Sequence, residues 1–161
     1  MGQKIVTLLF FIAFVALTAA FGAIFTPGEW YASLLKPSWN PPAAVFGPVW
    51  SLLYILMAVA AWQVWESGHE LRLKALKWWF IQLILNGAWS WLFFGLQRTG
   101  WALAEMTLLM AAIIMTIILF RSARPLAAIL LVPYLAWVAF AWFLNLTLWR
   151  LNGGGMESIL S

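Results

Sequence analysis

Five stretches of about 20 apolar residues leave this chain few ways to fold. A helix needs roughly that length to cross the hydrocarbon of a bilayer. The stretches fall at 5–25, 45–65, 78–96, 101–120 and 126–149 of a 161-residue chain. The first two are uncharged, the third holds Gln82 and Asn86, the fourth Glu105 and the fifth Asn145. Hydrophobic residues make up 65% of the chain and charged residues 9%, against about 45–50% and about 25% in soluble domains. A soluble fold of this size could not hide that much apolar surface, because most residues of a small domain still touch water. The sequence therefore predicts an all-α, integral membrane five-transmembrane-helix bundle. It forms one domain over 1–152, followed by a flexible tail at 153–161.

The first stretch has Lys4 ahead of it and small residues Ala13, Ala16, Ala19 and Ala20 within it, as a signal peptide would. Its length exceeds the 7–15 residues of a signal h-region and favours a retained helix. The connection at 26–44 is the longest and carries Pro27, Pro37, Pro41 and Pro42, which break helices and fix turns. The connection at 66–77 is the charged one, 97–100 is a tight turn, and 121–125 is short and basic. Lys4, Arg72, Lys74, Lys77, Arg121 and Arg124 fall on one side of such a bundle. Lys36, Arg98 and Arg150 fall on the other. In a plasma membrane this bias places the N-terminus in the cytoplasm. The nine basic residues are scattered, so no nucleic-acid partner is implied.

Polar side chains in hydrocarbon are costly and usually face a bundle interior. Gln82, Asn86, Trp89 and Phe93 fall at i, i+4, i+7 and i+11, one helix face. Tyr134, Trp137, Ala141 and Asn145 form a second such face, and Trp50, Tyr54 and Met57 a third. Three stripes of aromatic rings, two of them carrying an amide, would line an apolar space with a few fixed polar points, the usual make-up of a small-molecule site. Other readings stand beside this one. Trp62, Trp65, Trp78, Trp79, Trp101 and Trp149 lie at span ends, where a belt or simple packing accounts for them. Trp89, Trp137 and Trp142 lie nearer mid-span, where interior packing and ligand contact both fit. Asn86 and Asn145 either tie helices together or line the site. Glu105 is one turn into its span and is expected to reach the interface. The stiff run at 37–42 is either a lid over the bundle mouth or a rigid connector.

Catalytic signatures are scarce. The chain has one His, His69, expected in the charged loop, and no Cys or Asp. No Ser–His–Asp or Cys–His triad can be assembled, and no metal cluster is expected. There is no phosphate loop or dinucleotide Gly pattern.

The run Pro37-Ser38-Trp39-Asn40-Pro41-Pro42, followed by Phe46-Gly47-Pro48-Val49-Trp50 and Tyr54, resembles the hallmark of the TspO/MBR family. Glu29-Trp30-Tyr31, Asn86-Gly87-Ala88-Trp89-Ser90, Pro133-Tyr134-Leu135-Ala136-Trp137, Leu144-Asn145 and Trp149-Arg150-Leu151-Asn152 match it too, so the resemblance runs from about Ile5 to Asn152. It implies a homodimeric receptor for porphyrins (protoporphyrin IX, haem), and for sterols and isoquinoline carboxamide or benzodiazepine ligands. It is linked to tetrapyrrole handling and stress regulation. Light-dependent porphyrin breakdown and porphyrin or sterol transport are the alternatives it leaves. The implied pocket uses Trp50, Asn86, Trp89, Trp137, Ala141 and Asn145, with Trp30 and Trp39 from the first loop, and helical spacing adds Tyr54 beside Trp50. If porphyrin is broken down, Trp50 and Trp137 would carry that chemistry. No cofactor is required, porphyrin or haem entering as ligand. The host membrane implied is bacterial, inner or outer, or the mitochondrial outer membrane of a eukaryote. The stretch 144–150 holds Arg150 but no Tyr, so the family's sterol motif is incomplete. Trp91 stands where a second Gly would follow Gly87, leaving Ala16/Ala20 and Ala19/Ala23 as the close-approach pairs.

Overall fold

The computed structural model describes residues 2–153, and the expected tail lies outside them beyond Gly153. Six α-helices and one π-helical segment make up the described residues, with no strand among them. They are α1 (Gly2–Ile24), α2 (Glu29–Ser33), α3 (Ala43–Glu66), α4 (Arg72–Ser90), the π segment (Trp91–Gly95), α5 (Thr99–Ala123) and α6 (Pro125–Leu151). The chain is a membrane protein: α1, α3, α5 and α6 are each long and apolar enough to cross a bilayer. The third expected span falls on α4 and the π segment. Gln82 and Asn86 dilute its apolar content, and Arg72, Lys74 and Lys77 occupy its first turns, so it does not reach the level of the other four.

The boundaries follow local chemistry. Pro41 and Pro42 hold the approach to α3 extended. Gly68, at a φ of 64°, stops that helix with a conformation that glycine adopts without strain. Its neighbour Ser67 donates its N–H to the Gln63 carbonyl, 3.1 Å away. Pro125 opens α6, where its missing N–H costs nothing. Two boundaries differ from expectation. The charged connection is shorter than 66–77, because α4 begins at Arg72 and takes in the basic residues Arg72, Lys74 and Lys77. The proline-rich connection contains the helix α2, whose Ala32 N–H reaches the Gly28 carbonyl at 3.1 Å. In the π segment the Leu96 N–H reaches the Trp91 carbonyl at 2.8 Å, one residue further than an α-helix allows.

Helix α4 packs between α1, α3 and α5, while α6 closes the bundle between α3 and α5. The main core lies between α3, α4, α5 and α6. Met57, Ala61, Trp79, Ile113, Phe120 and Tyr134 are all fully buried there. Only Phe11 and Val15 of α1 are buried, so α1 is an edge helix. Trp79 is not a belt residue: it packs edge-on against Phe11 at 5.4 Å and donates its indole N–H to the Met57 carbonyl at 3.1 Å. Glu105 does not reach the interface. It is 9% exposed, because its face of α5 turns inward beside Ala102, Met106 and Leu109.

Candidate functional site

The polar residues of the three stripes meet in the bundle interior. The Tyr54 hydroxyl donates to Asn86 Oδ1 at 2.8 Å. Asn86 Nδ2 donates to the Tyr134 hydroxyl at 3.1 Å, and that hydroxyl donates to Gln82 Oε1 at 2.8 Å. Helices α3, α4 and α6 are thus joined by one relay of hydrogen bonds. The tie-rod reading of Asn86 is realised here: its carbonyl and one amide hydrogen are both engaged. Trp50 caps the relay, 5.5 Å from the Tyr54 ring and 6.2 Å from the Tyr134 ring.

Towards the first loop the character changes. A second apolar cluster forms around Phe93, Ala102, Leu144 and Leu148, with Trp30, Tyr31, Phe46, Trp89 and Phe140 packed on it. Trp89 stacks on Phe93 at 5.1 Å, and Trp30 meets the same Phe93 edge-on at 5.7 Å. Trp137 lies between Phe46, 5.8 Å away, and Phe140, 5.5 Å away. Trp39 reaches Phe140 at 6.0 Å and stacks on Phe143 at 5.4 Å. Ala141, half-buried, presents no bulk beside Trp137 and Trp142. Within this aromatic lining the Trp89 and Trp137 indole nitrogens and both amide atoms of Asn145 are buried with no hydrogen-bond partner in the protein. So are both carboxyl oxygens of Glu105. Trp142 donates its indole N–H to Thr107 Oγ1 at 3.0 Å. With α5 and α6 antiparallel, Asn145 lies three residues beyond Trp142 and Glu105 two residues before Thr107, which brings them to about one level.

The first loop is fastened over this region. The Leu35 N–H donates to Asn152 Oδ1 at 2.9 Å, and Asn152 Nδ2 donates back to the Leu35 carbonyl at 3.0 Å. Tyr31 donates to Asn40 Oδ1 at 3.3 Å, with the Lys36 ammonium 4.7 Å from its ring. Burial raises the Tyr31 hydroxyl above its ordinary pKa, and the Asn40 hydrogen bond pulls the other way. At the inner edge, Phe25 packs so closely on the π segment that a Cβ on Gly95 would lie 2.8 Å from it.

All nine expected site residues are thus placed, in two groups. Trp50, Tyr54 and Asn86 belong to the relay, whereas Trp30, Trp39, Trp89, Trp137, Ala141 and Asn145 belong to the aromatic lining. Sequence reasoning had Tyr134, Gln82 and Phe93 on its stripes without assigning them to the site. Phe46 and Phe140 carry no distinguishing spacing as aromatic residues on apolar helices, and Glu105, expected at the interface, is instead buried.

An all-helical membrane bundle with a tryptophan-lined interior and a proline-rich cover defines a narrow class. Residues 10–150 match the TspO/MBR family, and the chain belongs to it. It is 43% identical over 152 residues to Protein CrtK of Rhodobacter capsulatus, covering 91% of this chain and 94% of that one. It is 45% identical over 139 residues to the translocator protein of Homo sapiens, covering 83% and 82%. Over 151 residues it is 39% identical to the tryptophan-rich sensory protein of Cereibacter sphaeroides, covering 92% of each.

Proposed function

We propose that this protein is a membrane receptor that senses a porphyrin held in the aromatic lining beneath the first loop. The observation that carries the reading is the set of unmet polar groups there. The Trp89 and Trp137 indoles and the Asn145 amide are buried without protein partners, in the midst of ring faces suited to a flat conjugated macrocycle. Each such group costs about 1–3 kcal/mol when left unsatisfied, and a ligand with acceptor atoms would recover part of that. The lining presents rings, indole N–H groups, an amide and the Glu105 carboxyl, with no imidazole or thiolate. In this reading the ring faces carry the recognition of the macrocycle. Two of the relatives, a sensory protein and a translocator protein, carry names that agree with a receptor role.

In this reading α4 and its π segment form the fifth span. The segment's polar face is the one turned inward: Gln82 and Asn86 are 1% and 6% exposed and joined to α3 and α6. A ligand entering under the loop would press on Trp30, Trp39 and Phe93. Through them it would reach the Leu35–Asn152 clasp and the π segment, which is how occupancy would be felt outside the bundle. The receptor is proposed to act as a homodimer.

Titration of the purified protein with protoporphyrin IX in the dark, read by tryptophan quenching, tests the reading. Saturable quenching is expected, with Kd weakened roughly tenfold or more when Trp137→Phe and Asn145→Leu are combined, since each removes a buried donor. The exposed-site control Trp101→Phe should leave Kd unchanged. Absence of saturation in the wild type, or an unchanged Kd in the double variant, would overturn it. Repeating the titration under illumination separates binding from breakdown of the macrocycle.

A further inference from the structure

The seam between α1 and α4 carries two clefts that belong to neither the relay nor the aromatic lining. One, of about 530 Å³, is walled by Phe10, Phe11, Trp65, Leu76, Lys77 and Phe80. The other, of about 300 Å³, continues from Phe80 past Leu17, Phe21 and Ile84 to Gly87. They lie end to end along α1, from Val6 to Phe21, with Phe80 on the wall of both. Fifteen residues of helix span about 22 Å, more than one leaflet of a hydrocarbon core about 30 Å thick. The trough is apolar along its length and changes character at one end only. Lys77 lines it there, and the Arg72 guanidinium sits 4.9 Å over the Trp65 ring that forms the same wall. Lys74 stands beside them on α4, and Lys4 opposite them at the start of α1. Two carboxylates share this end, Glu66 and Glu70. Glu66 lies 3.8 Å from the Lys4 ammonium, which leaves Lys77 and Arg72 for an outside anion. Four cations against two carboxylates is a net positive patch, on the side that the basic residues assign to the cytoplasm.

We infer that this seam is a binding site for an anionic phospholipid. The headgroup phosphate lies against Lys77 and Arg72, and one acyl chain lies in the trough between α1 and α4. The charge sits at one end of the apolar groove, on the first turns of α4, the arrangement of a basic pocket between membrane helices. The groove narrows towards Gly87, where a side chain would meet Phe21 at 3.2 Å, so the chain end has a defined stop. An anionic lipid held there would brace α1, which has little buried surface of its own.

The test uses phosphatidylglycerol carrying a photoactivatable group on one acyl chain, added to the full chain in zwitterionic nanodiscs. Crosslinks are expected in 6–21 and 73–87, at higher yield than with the matching phosphatidylcholine probe. Lys77→Gln with Arg72→Gln should lower that yield roughly tenfold or more, at about fivefold for each cation removed. Lys77→Arg with Arg72→Lys, which keeps both charges, should restore it. Equal labelling by the two probes, labelling spread evenly around the bundle, or a double variant that labels like the wild type would each overturn the inference. So would a covalent dimer of the Ile84→Cys variant that forms readily and excludes the probe. In that case a second copy, not a lipid, covers the seam. The chain has no native cysteine to confuse that readout.

Discussion

The two halves of the bundle interior treat polar side chains in opposite ways. Around Tyr54, Asn86, Tyr134 and Gln82, four side chains from three helices are joined in one relay of hydrogen bonds. Around Trp89, Trp137, Asn145 and Glu105, buried N–H, amide and carboxyl groups find no partner in the protein. Both regions are aromatic and both lie within the helices. They differ in degree: the relay leaves one buried donor, Gln82 Nε2, without a partner, whereas both polar atoms of Asn145 and both of Glu105 lack one. A largely satisfied buried network fixes helices relative to one another, whereas unsatisfied groups raise the energy of the protein and give a ligand something to recover. The same residue type, asparagine on an inward stripe, is thus a tie at 86 and is left without a partner at 145.

Substitution at these two asparagines is the sharpest way to break the comparison. Asn86→Leu should have the largest effect, because it strands the Tyr54 hydroxyl and takes a donor from the Tyr134 hydroxyl, which keeps its bond to Gln82. At about 1–3 kcal/mol for a stranded group, a loss of about 2 kcal/mol is expected in chemical unfolding of the detergent-solubilised protein. Asn145→Leu should act in the other direction. Replacing an unsatisfied amide by a hydrocarbon of similar size should stabilise the empty protein by about 1 kcal/mol, while weakening porphyrin binding. A destabilisation equal to that of Asn86→Leu would show that both asparagines are ties and would erase the distinction. Gly95→Ala should cost about 1 kcal/mol, read in the same unfolding series, since Phe25 must move aside to admit the new methyl. The smallest effect belongs to Asn152→Ala. Global unfolding should scarcely change, while hydrogen exchange of the amides at 29–36 should quicken as the loop loses its clasp. Unchanged exchange would place the fastening of the loop elsewhere.

Much of this arrangement was legible in the sequence. Apolar run length placed α1, α3, α5 and α6 to within a few residues, because the bilayer imposes a length that few other constraints do. Helical spacing put Asn86, Tyr54 and Tyr134 on inward faces. It could not say which of the amides would be paired, because pairing depends on the rotation of each helix against its neighbours. The start of α4 was missed because charge reads as loop, although a helix can leave the membrane without ending. Helix α2 was hidden by flanking prolines, each of which permits a short helix between them. The π segment has no spacing of its own, for it is one residue too many in an otherwise ordinary helix. Trp79 and Trp78 are adjacent and chemically identical, and only packing against Phe11 makes one of them core.

The clasp between Leu35 and Asn152 joins positions 117 residues apart. It turns most of the chain into a nearly closed hoop, from the first loop through α3 to α6 and back. Helix α1 is the one long helix outside that hoop: its covalent link lies before α2, and packing against α3 and α4 holds it to the rest.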